Sequence, residues 1–334
     1  MMLVDGSTRR LSSMMFLFAA FLQPTLALIN GNNDYQHYRQ QVAAGDHFAK
    51  DFYRANVKDD FLNSYSYYKP VTECMFVTTE PGSFIYTSKT DDEEVCGVHF
   101  LAGPDQNVEI TFINFDVPCE HHGLISIVDG WELNGEIFPS EMDHRLSLKQ
   151  RNIEFCGKSV GMKRTLVSSQ NVAVIRYRIP VAGKGFTVLA RFINNPRPCN
   201  VLAPSLTEPF TLRNYGRRIN CTYAALYPGT VQIIALGVGI TNFLGSIRAT
   251  ETGIIRKCDQ KNPQDQVVIG GSYGLDTSKM EVVDSICGMN SKPDYREMVE
   301  YSVTSVKLIS SGFFENSVTV QILPIKDDTF TTQA

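Results

Sequence analysis

No apolar run in this sequence reaches the roughly 20 residues an α-helix needs to cross a bilayer. The longest, Leu11 to Leu22, is about a dozen residues. It follows Arg9 and Arg10 and precedes the small residues of Thr25-Leu26-Ala27, the order of a cleaved secretory signal over residues 1–27 rather than an anchor. Clustered positive charge is missing too. Lys and Arg number 31 against 35 Asp and Glu, a net charge of −4 with the basic residues scattered, which excludes a nucleic-acid surface. There is no HExxH, no CxxC and no histidine pair at helical spacing. Those absences exclude the common zinc and redox sites. Ile269-Gly270-Gly271-Ser272-Tyr273-Gly274 is glycine-rich but lacks the Lys-Ser/Thr ending of a phosphate loop, so its glycines read as a tight turn. Neither a catalytic residue nor a cofactor site is expected, and the chain does not read as an enzyme.

What the sequence does have is an even set of eight cysteines: Cys74, Cys96, Cys119, Cys156, Cys199, Cys221, Cys258 and Cys287. In an oxidising compartment that number implies four disulfides. Eight cysteines allow 105 pairings, so the count fixes none of them. The interval from Cys74 to Cys96 recurs unchanged from Cys199 to Cys221, each followed by a wider pair. The frame reads as two units of four, for which sequential pairing is the simplest solution.

From Cys96 onward the pattern is β. Val108 to Phe112 alternates apolar and polar residues, as a half-buried strand does. Leu124–Val128, Val172–Arg178, Phe186–Phe192, Val231–Leu236, Val303–Ile309 and Val318–Ile322 are further strand candidates. Asp129-Gly130, Asn134-Gly135, Ala182-Gly183-Lys184-Gly185 and Gly270-Gly271 are the turn signals. Many short strands with regular punctuation predict an all-β fold, two tandem antiparallel sandwiches stapled by disulfides. The connector is Asn194-Asn195-Pro196-Arg197-Pro198. The expected division is a signal peptide at 1–27, an N-terminal segment at 28–68, sandwiches at 69–194 and 195–325, and a tail at 326–334. Tyr35 to Phe52, within the N-terminal segment, reads as a docking segment as readily as a helix.

Cys96, Ile110 to Phe112, Phe115-Asp116, Cys119, Leu124 to Gly130, Cys156 and Gly185-Phe186 together resemble a CUB domain. A narrower set resembles the corticotropin-releasing-factor-binding protein family, in an invertebrate-type form. It comprises Asp129-Gly130-Trp131, Gly135-Glu136, Phe138-Pro139-Ser140, Asp143-His144, Ser168 to Ala173, Pro198 to Val201, Asn220-Cys221, Tyr227-Pro228, Gly274-Leu275-Asp276, Ser278-Lys279-Met280 and Ser310-Ser311-Gly312. The resemblance spans about residues 70 to 322. It implies a secreted protein that sequesters a helical corticotropin-releasing-factor-like, or diuretic-hormone-like, peptide and limits its receptor signalling. A CUB-type adhesion or matrix adaptor is the alternative. With the spacing, the resemblance also implies the pairs Cys74–Cys96, Cys119–Cys156, Cys199–Cys221 and Cys258–Cys287. A fifth family bridge is absent, with Tyr301 near one of its positions.

The family is sensitive to its ligand beside the first cysteine, which points to Tyr68, Lys69, Glu73 and Phe76. The competing reading makes this the first strand, with Phe76 in the core. Trp131, the one tryptophan, is either a packing residue or an aromatic anchor for the peptide. Many CUB domains bind calcium through an acid four residues after the third cysteine. Gly123 stands there, leaving Asp116, Glu120 and Asp129. His121 and His122 are adjacent and point to opposite faces of any strand. Asn220-Cys221-Thr222 is the one N-x-S/T sequon, which predicts a glycan on a solvent-facing Asn220.

Overall fold

The structure is a computed structural model that describes residues 68–205, 208–239, 252–261 and 264–325. The expected signal peptide at 1–27, all but the last residue of the expected N-terminal segment, and the expected tail lie outside the described residues. Strands and short 3₁₀ turns make up the regular structure, with no α-helix among the described residues.

In the first half, two five-stranded sheets face one another. One runs in the order Lys69–Pro70, Gly82–Thr87, Gly185–Asn194, Gln106–Val117, Gly157–Val167. The other runs Met75–Thr78, Cys96–Leu101, Val172–Arg178, Leu124–Val128, Asn152–Phe155. Alternation along Gln106–Val117 sends Val108, Ile110 and Phe112 inward. The pairing with Gly185–Asn194 then skips Ile113, since Thr187 faces Asn114 while Val188 faces Phe112. That bulge reverses the phase, so Phe115 and Val117 are buried as well. Phe84, Phe100, Phe112, Phe155, Phe186 and Tyr177 fill the core, in ring contacts such as Phe84–Phe100 at 5.5 Å and Phe112–Phe155 at 5.2 Å.

Not every pairing is antiparallel. Met75–Thr78 runs parallel to Cys96–Leu101, and Val201–Leu202 runs parallel to Cys221–Ala225. The cause is the disulfide. Cys74 and Cys96 stand at the starts of their two strands, bridged at a Cα distance of 4.5 Å, so both chains leave the bridge in one direction. Cys199–Cys221, at 4.6 Å, repeats this in the second half. Cys119–Cys156 and Cys258–Cys287 close at 5.3 and 6.1 Å. In the chain-entropy model, loops of these lengths stabilise by about 3 to 4 kcal/mol each.

The second half has its own core, with Tyr223, Val231, Ile233, Val267, Ile269, Ile286, Val306 and Val320 among its buried residues. Its described strands form one hydrogen-bonded path because Glu281–Asn290 changes partners. Its first residues pair with Gln266–Ser272, and Gly288 to Asn290 pair with Gly229–Val238. Such switching strands make the corners of β-sandwiches. Gly270 and Gly271 correct the sequence reading: they lie inside strand Gln266–Ser272, not in a turn. A Cβ on Gly270 would fall 2.1 Å from Glu281 O, and one on Gly271 2.5 Å from Tyr301 Cβ. The pair marks a bulge and a close backbone approach. Asn134-Gly135 is a genuine turn, with both residues at positive φ.

Candidate functional site

The segment around the first cysteine wraps one edge of the first sandwich. Lys69–Pro70 joins one sheet and Met75–Thr78 the other, with Cys74 pinned between. Tyr68 and Glu73 are exposed. Lys69 is half committed, its Nζ 2.5 Å from Glu80 and 5.8 Å from the Phe84 ring centre. Phe76 turns inward and packs edge-on against Phe84 at 6.0 Å. Of the four residues expected at a ligand, Tyr68 and Glu73 therefore face solvent most openly.

Trp131, read from the sequence as either a packing residue or a peptide anchor, is 1% exposed. Strand Trp131–Leu133 pairs with Glu136–Phe138 in a hairpin that folds over the outside of the second sheet. The indole lies 4.9 Å from the His99 ring, and His99 Nε2 sits 3.3 Å from Glu132 O. Burial holds His99 below the ordinary histidine range. The hairpin is held from beneath by Arg151, itself buried. Its Nε donates to Asp129 O and its Nη1 to Pro139 O, both at 2.8 Å. Gly130 leaves room for it, since a Cβ there would fall 2.5 Å from Arg151 Nη2.

A buried polar network ties this region to the second half. Asp129 accepts from Ser169 N at 2.7 Å and Ser169 Oγ at 2.5 Å, with His144 Nε2 at 3.5 Å. Burial works to raise the Asp129 carboxyl, but His144 and the Ser169 hydrogen bonds outweigh it and hold it low. Asp143 Oδ2 meets Lys307 Nζ at 2.7 Å and accepts from Ser140 Oγ at 3.0 Å. Asn171 Nδ2 donates to Leu202 O at 2.8 Å, and its Oδ1 accepts from Leu202 N at 3.0 Å. Asn200 Nδ2 donates to Asp143 O at 2.9 Å. At the hairpin tip Glu136 reaches Lys279 at 3.4 Å. Arg151 and Lys307 were not singled out from the sequence. A lone Arg or Lys has no local pattern that marks it as buried.

Beyond the hairpin, the outer face of the second sheet is exposed along its edge strands, while Gly97 and Ser126 on the strands between are buried. Across its five strands Met75, Gly97, Arg176, Ser126 and Glu154 stand in register, a width of about 19 Å at 4.8 Å per strand. The place over Gly97 is taken by the His99 ring, 2.7 Å from where a Cβ would stand, and Val77 and Val95 are exposed. Toward Asn152–Phe155 the face deepens into a trough of about 500 Å³ lined by Val128, Ile137, Leu148, Lys149, Asn152, Glu154 and Arg176.

Two of the three acids left for calcium are otherwise engaged. Asp116 meets Lys184 at 2.8 Å and Lys158 at 3.4 Å, and Asp129 holds Ser169. Cys74, Glu94 and Cys96 lie close enough to suggest a metal group, but both sulfurs belong to one disulfide. His121 and His122 are exposed. Asn220 is half-buried rather than fully solvent-facing, just ahead of strand Cys221–Ala225, and Thr222 is fully buried.

These features define a disulfide-stapled, tandem β-sandwich protein with a buried polar joint. The model of the corticotropin-releasing factor binding protein N-terminal domain matches residues 66–194, and that of the C-terminal domain matches 201–329. The chain belongs to the corticotropin-releasing factor-binding protein family. It is 29% identical to the corticotropin-releasing factor-binding protein of Rattus norvegicus over 310 residues, 92% of each chain. Against that of Xenopus laevis it is 31% identical over 302 residues, 89% of this chain and 88% of the relative. Among solved structures it is similar to the CUB1-EGF-CUB2 domains of rat MASP-1, at 12% identity and a TM-score of 0.26, covering 74% of this chain and 99% of that one. The full extracellular region of zebrafish Gpr126/Adgrg6 is similar at the same identity and TM-score, covering 79% of this chain and 38% of that one.

Proposed function

We propose that this protein is a secreted, non-catalytic binding protein that captures a corticotropin-releasing-factor-like peptide, diuretic-hormone-like peptides included, and so limits its signalling. The observation that carries the reading is family membership across both halves, 66–194 and 201–329. The four disulfides suit an oxidising compartment, and residues 1–27 would direct the chain there. The working division is one sandwich over 69–194 and another over 195–325. An adaptor role is less well supported, because it leans on a calcium site and Asp116 is neutralised by two lysines.

Peptide recognition would begin at the exposed Tyr68 and Glu73, with Lys69 and Phe76 shaping the edge beneath them. An amphipathic helix lays its apolar face in a groove and draws specificity from a few polar contacts. Titrating the secreted protein with a panel of corticotropin-releasing-factor-like and diuretic-hormone-like peptides tests the reading, and the expected result is saturable one-to-one binding. No binding to any member would refute it. Glu73→Ala should leave secretion intact, since removing an exposed charge costs within about 0.5 kcal/mol. If the peptide contacts it through a desolvated charge pair, affinity falls by about thirtyfold. A glycan at Asn220 is also proposed, and an Asn220→Gln protein that keeps the wild-type mass shift on deglycosylation would exclude it.

A further inference from the structure

We propose that the trough beneath the hairpin is an acidic-residue subsite: it takes a carboxylate of the bound peptide on Arg176 and a neighbouring aliphatic side chain against Leu148. The proposal rests on the peptide-binding reading above and deepens it, because it lies several strands away from the cysteine-flanking edge.

Arg176 stands in the middle of the sheet's outer face with most of its donors unspent. Its Nη2 donates to Ser126 Oγ at 3.0 Å, while Nε is buried without a partner. Nη1 is 3.7 Å from Glu132 Oε2, beyond hydrogen-bond length. Glu132 is itself committed, its Oε1 accepting from Gly135 N at 2.8 Å. A guanidinium carries five N–H donors in a planar fork that suits a carboxylate. Beside it, Glu154 also lines the trough, and one of its oxygens accepts from Asn152 Nδ2 at 2.8 Å. Lys149 adds a second cation to the lining.

The opposite wall is aliphatic: Val128, Ile137 and Leu148, with Leu148 40% exposed. Residues three or four apart on a helix sit about 5–6 Å from one another. One turn of an amphipathic helix can therefore place an acid and an aliphatic side chain in this trough together. A neutral or basic apolar face would leave the Arg176 donors unpaired and desolvated, which disfavours it. The occupant that fits is a helical peptide with a Glu or Asp at the margin of its apolar face.

The test uses the full secreted protein and fluorescein-labelled corticotropin-releasing factor. Arg176→Gln should weaken binding about thirtyfold and flatten its salt dependence. Leu148→Ser and Lys149→Gln, both at exposed positions, should each weaken it severalfold, and they carry the test should Arg176→Gln fail to be secreted. A peptide series with each acid changed to its amide should contain one member for which Arg176→Gln costs nothing further. Wild-type binding with all three variants at wild-type affinity overturns the subsite and leaves the peptide reading standing. A wild-type protein that binds none of the peptide panel overturns both.

Discussion

Lys307→Met should loosen the joint between the two halves before it unfolds either one. Lys307 lies on strand Val303–Ile309, and its Nζ reaches Asp143 in the first half at 2.7 Å. The Lys side chain is 13% exposed and the Asp side chain 1%. At an effective dielectric of about 20, charges that close attract by about 6 kcal/mol, before the cost of removing them from water. Taking one partner from a buried pair typically costs about 3–5 kcal/mol, because the other is left uncompensated. Asp143 would keep its hydrogen bond from Ser140 and a 3.4 Å contact with Thr277 Oγ1, which brings the expectation to about 2–3 kcal/mol. Trp131 is the sole tryptophan and is buried under the hairpin beside this joint, so its emission reports on the region. Urea unfolding of the oxidised protein should show the Trp131 transition shifted down by about 1 M, with m near 2–3 kcal/mol/M. The far-UV circular dichroism transition should move less. A shift below about 0.5 kcal/mol in both signals would mean that the pair is screened, and the joint would then have to be held by its neutral hydrogen bonds alone.

Trp131→Ala should cost about 3–5 kcal/mol in thermal unfolding, as a fully buried ring does, while Trp131→Phe should cost less and leave peptide affinity unchanged. Loss of affinity in Trp131→Phe at wild-type stability would restore its role as an anchor. Acid should destabilise the fold in two stages. Burial lowers His99, so its contribution is complete above its unfolded pKa of about 6.5 and is lost as pH falls below that. Asp129 and Asp284 are also lowered. Burial opposes this in each case but is outweighed, by His144 and Ser169 at Asp129 and by Tyr295 and Arg256 at Asp284. Their contribution is complete above about pH 4 and disappears below it. A melting temperature equal at pH 7.5 and pH 5, or one that rises toward pH 3, would contradict this. Peptide mapping without reduction should recover the four bridges within their own halves, and any link between the first four and last four cysteines would break the two-unit frame.

A strand with one wet face was legible because its alternation survives in the sequence, as from Val108 to Phe112. Val172–Arg178 and Val303–Ile309, each buried over its first four residues, were legible as short runs rich in β-branched residues. Cys96–Leu101 was not, because all six of its residues are buried and a strand covered on both sides carries no period-two signal. The bulge at Ile113 was equally hidden, since a phase change needs the partner strand to be seen. Gly270-Gly271 misled for a related reason. Glycine marks a turn and a close backbone approach alike, and Glu281 O is what requires it here. At the candidate site the segment beside Cys74 could be located, but which of its side chains face outward depends on the Cys74–Cys96 bridge. Arg176 was invisible as a site residue because its meaning comes from Ser126, Glu132 and the hairpin, all distant in sequence.

The residues that carry the family resemblance gather at the joint rather than on the open sheet face. Asp129, Gly130, Phe138, Pro139 and Asp143 cradle Arg151 and Lys307, and Asn171 and Asn200 stitch one half to the other. Glu136 reaches Lys279 and the backbone of Asp276 across the same boundary. Physical chemistry gives a reason for this. A buried polar group without its partner costs about 1–3 kcal/mol, and more if charged, so each residue of such a network restricts its neighbours. The open face has no comparable restriction, because an exposed charge such as Glu73 can change at a cost within about 0.5 kcal/mol. A protein built this way can keep its architecture while the surface that meets its ligand changes. Ligand choice in this protein should therefore be read from Tyr68, Glu73, Arg176 and the trough, and substitutions at Asp143 or Asn171 should change stability first and affinity only through it.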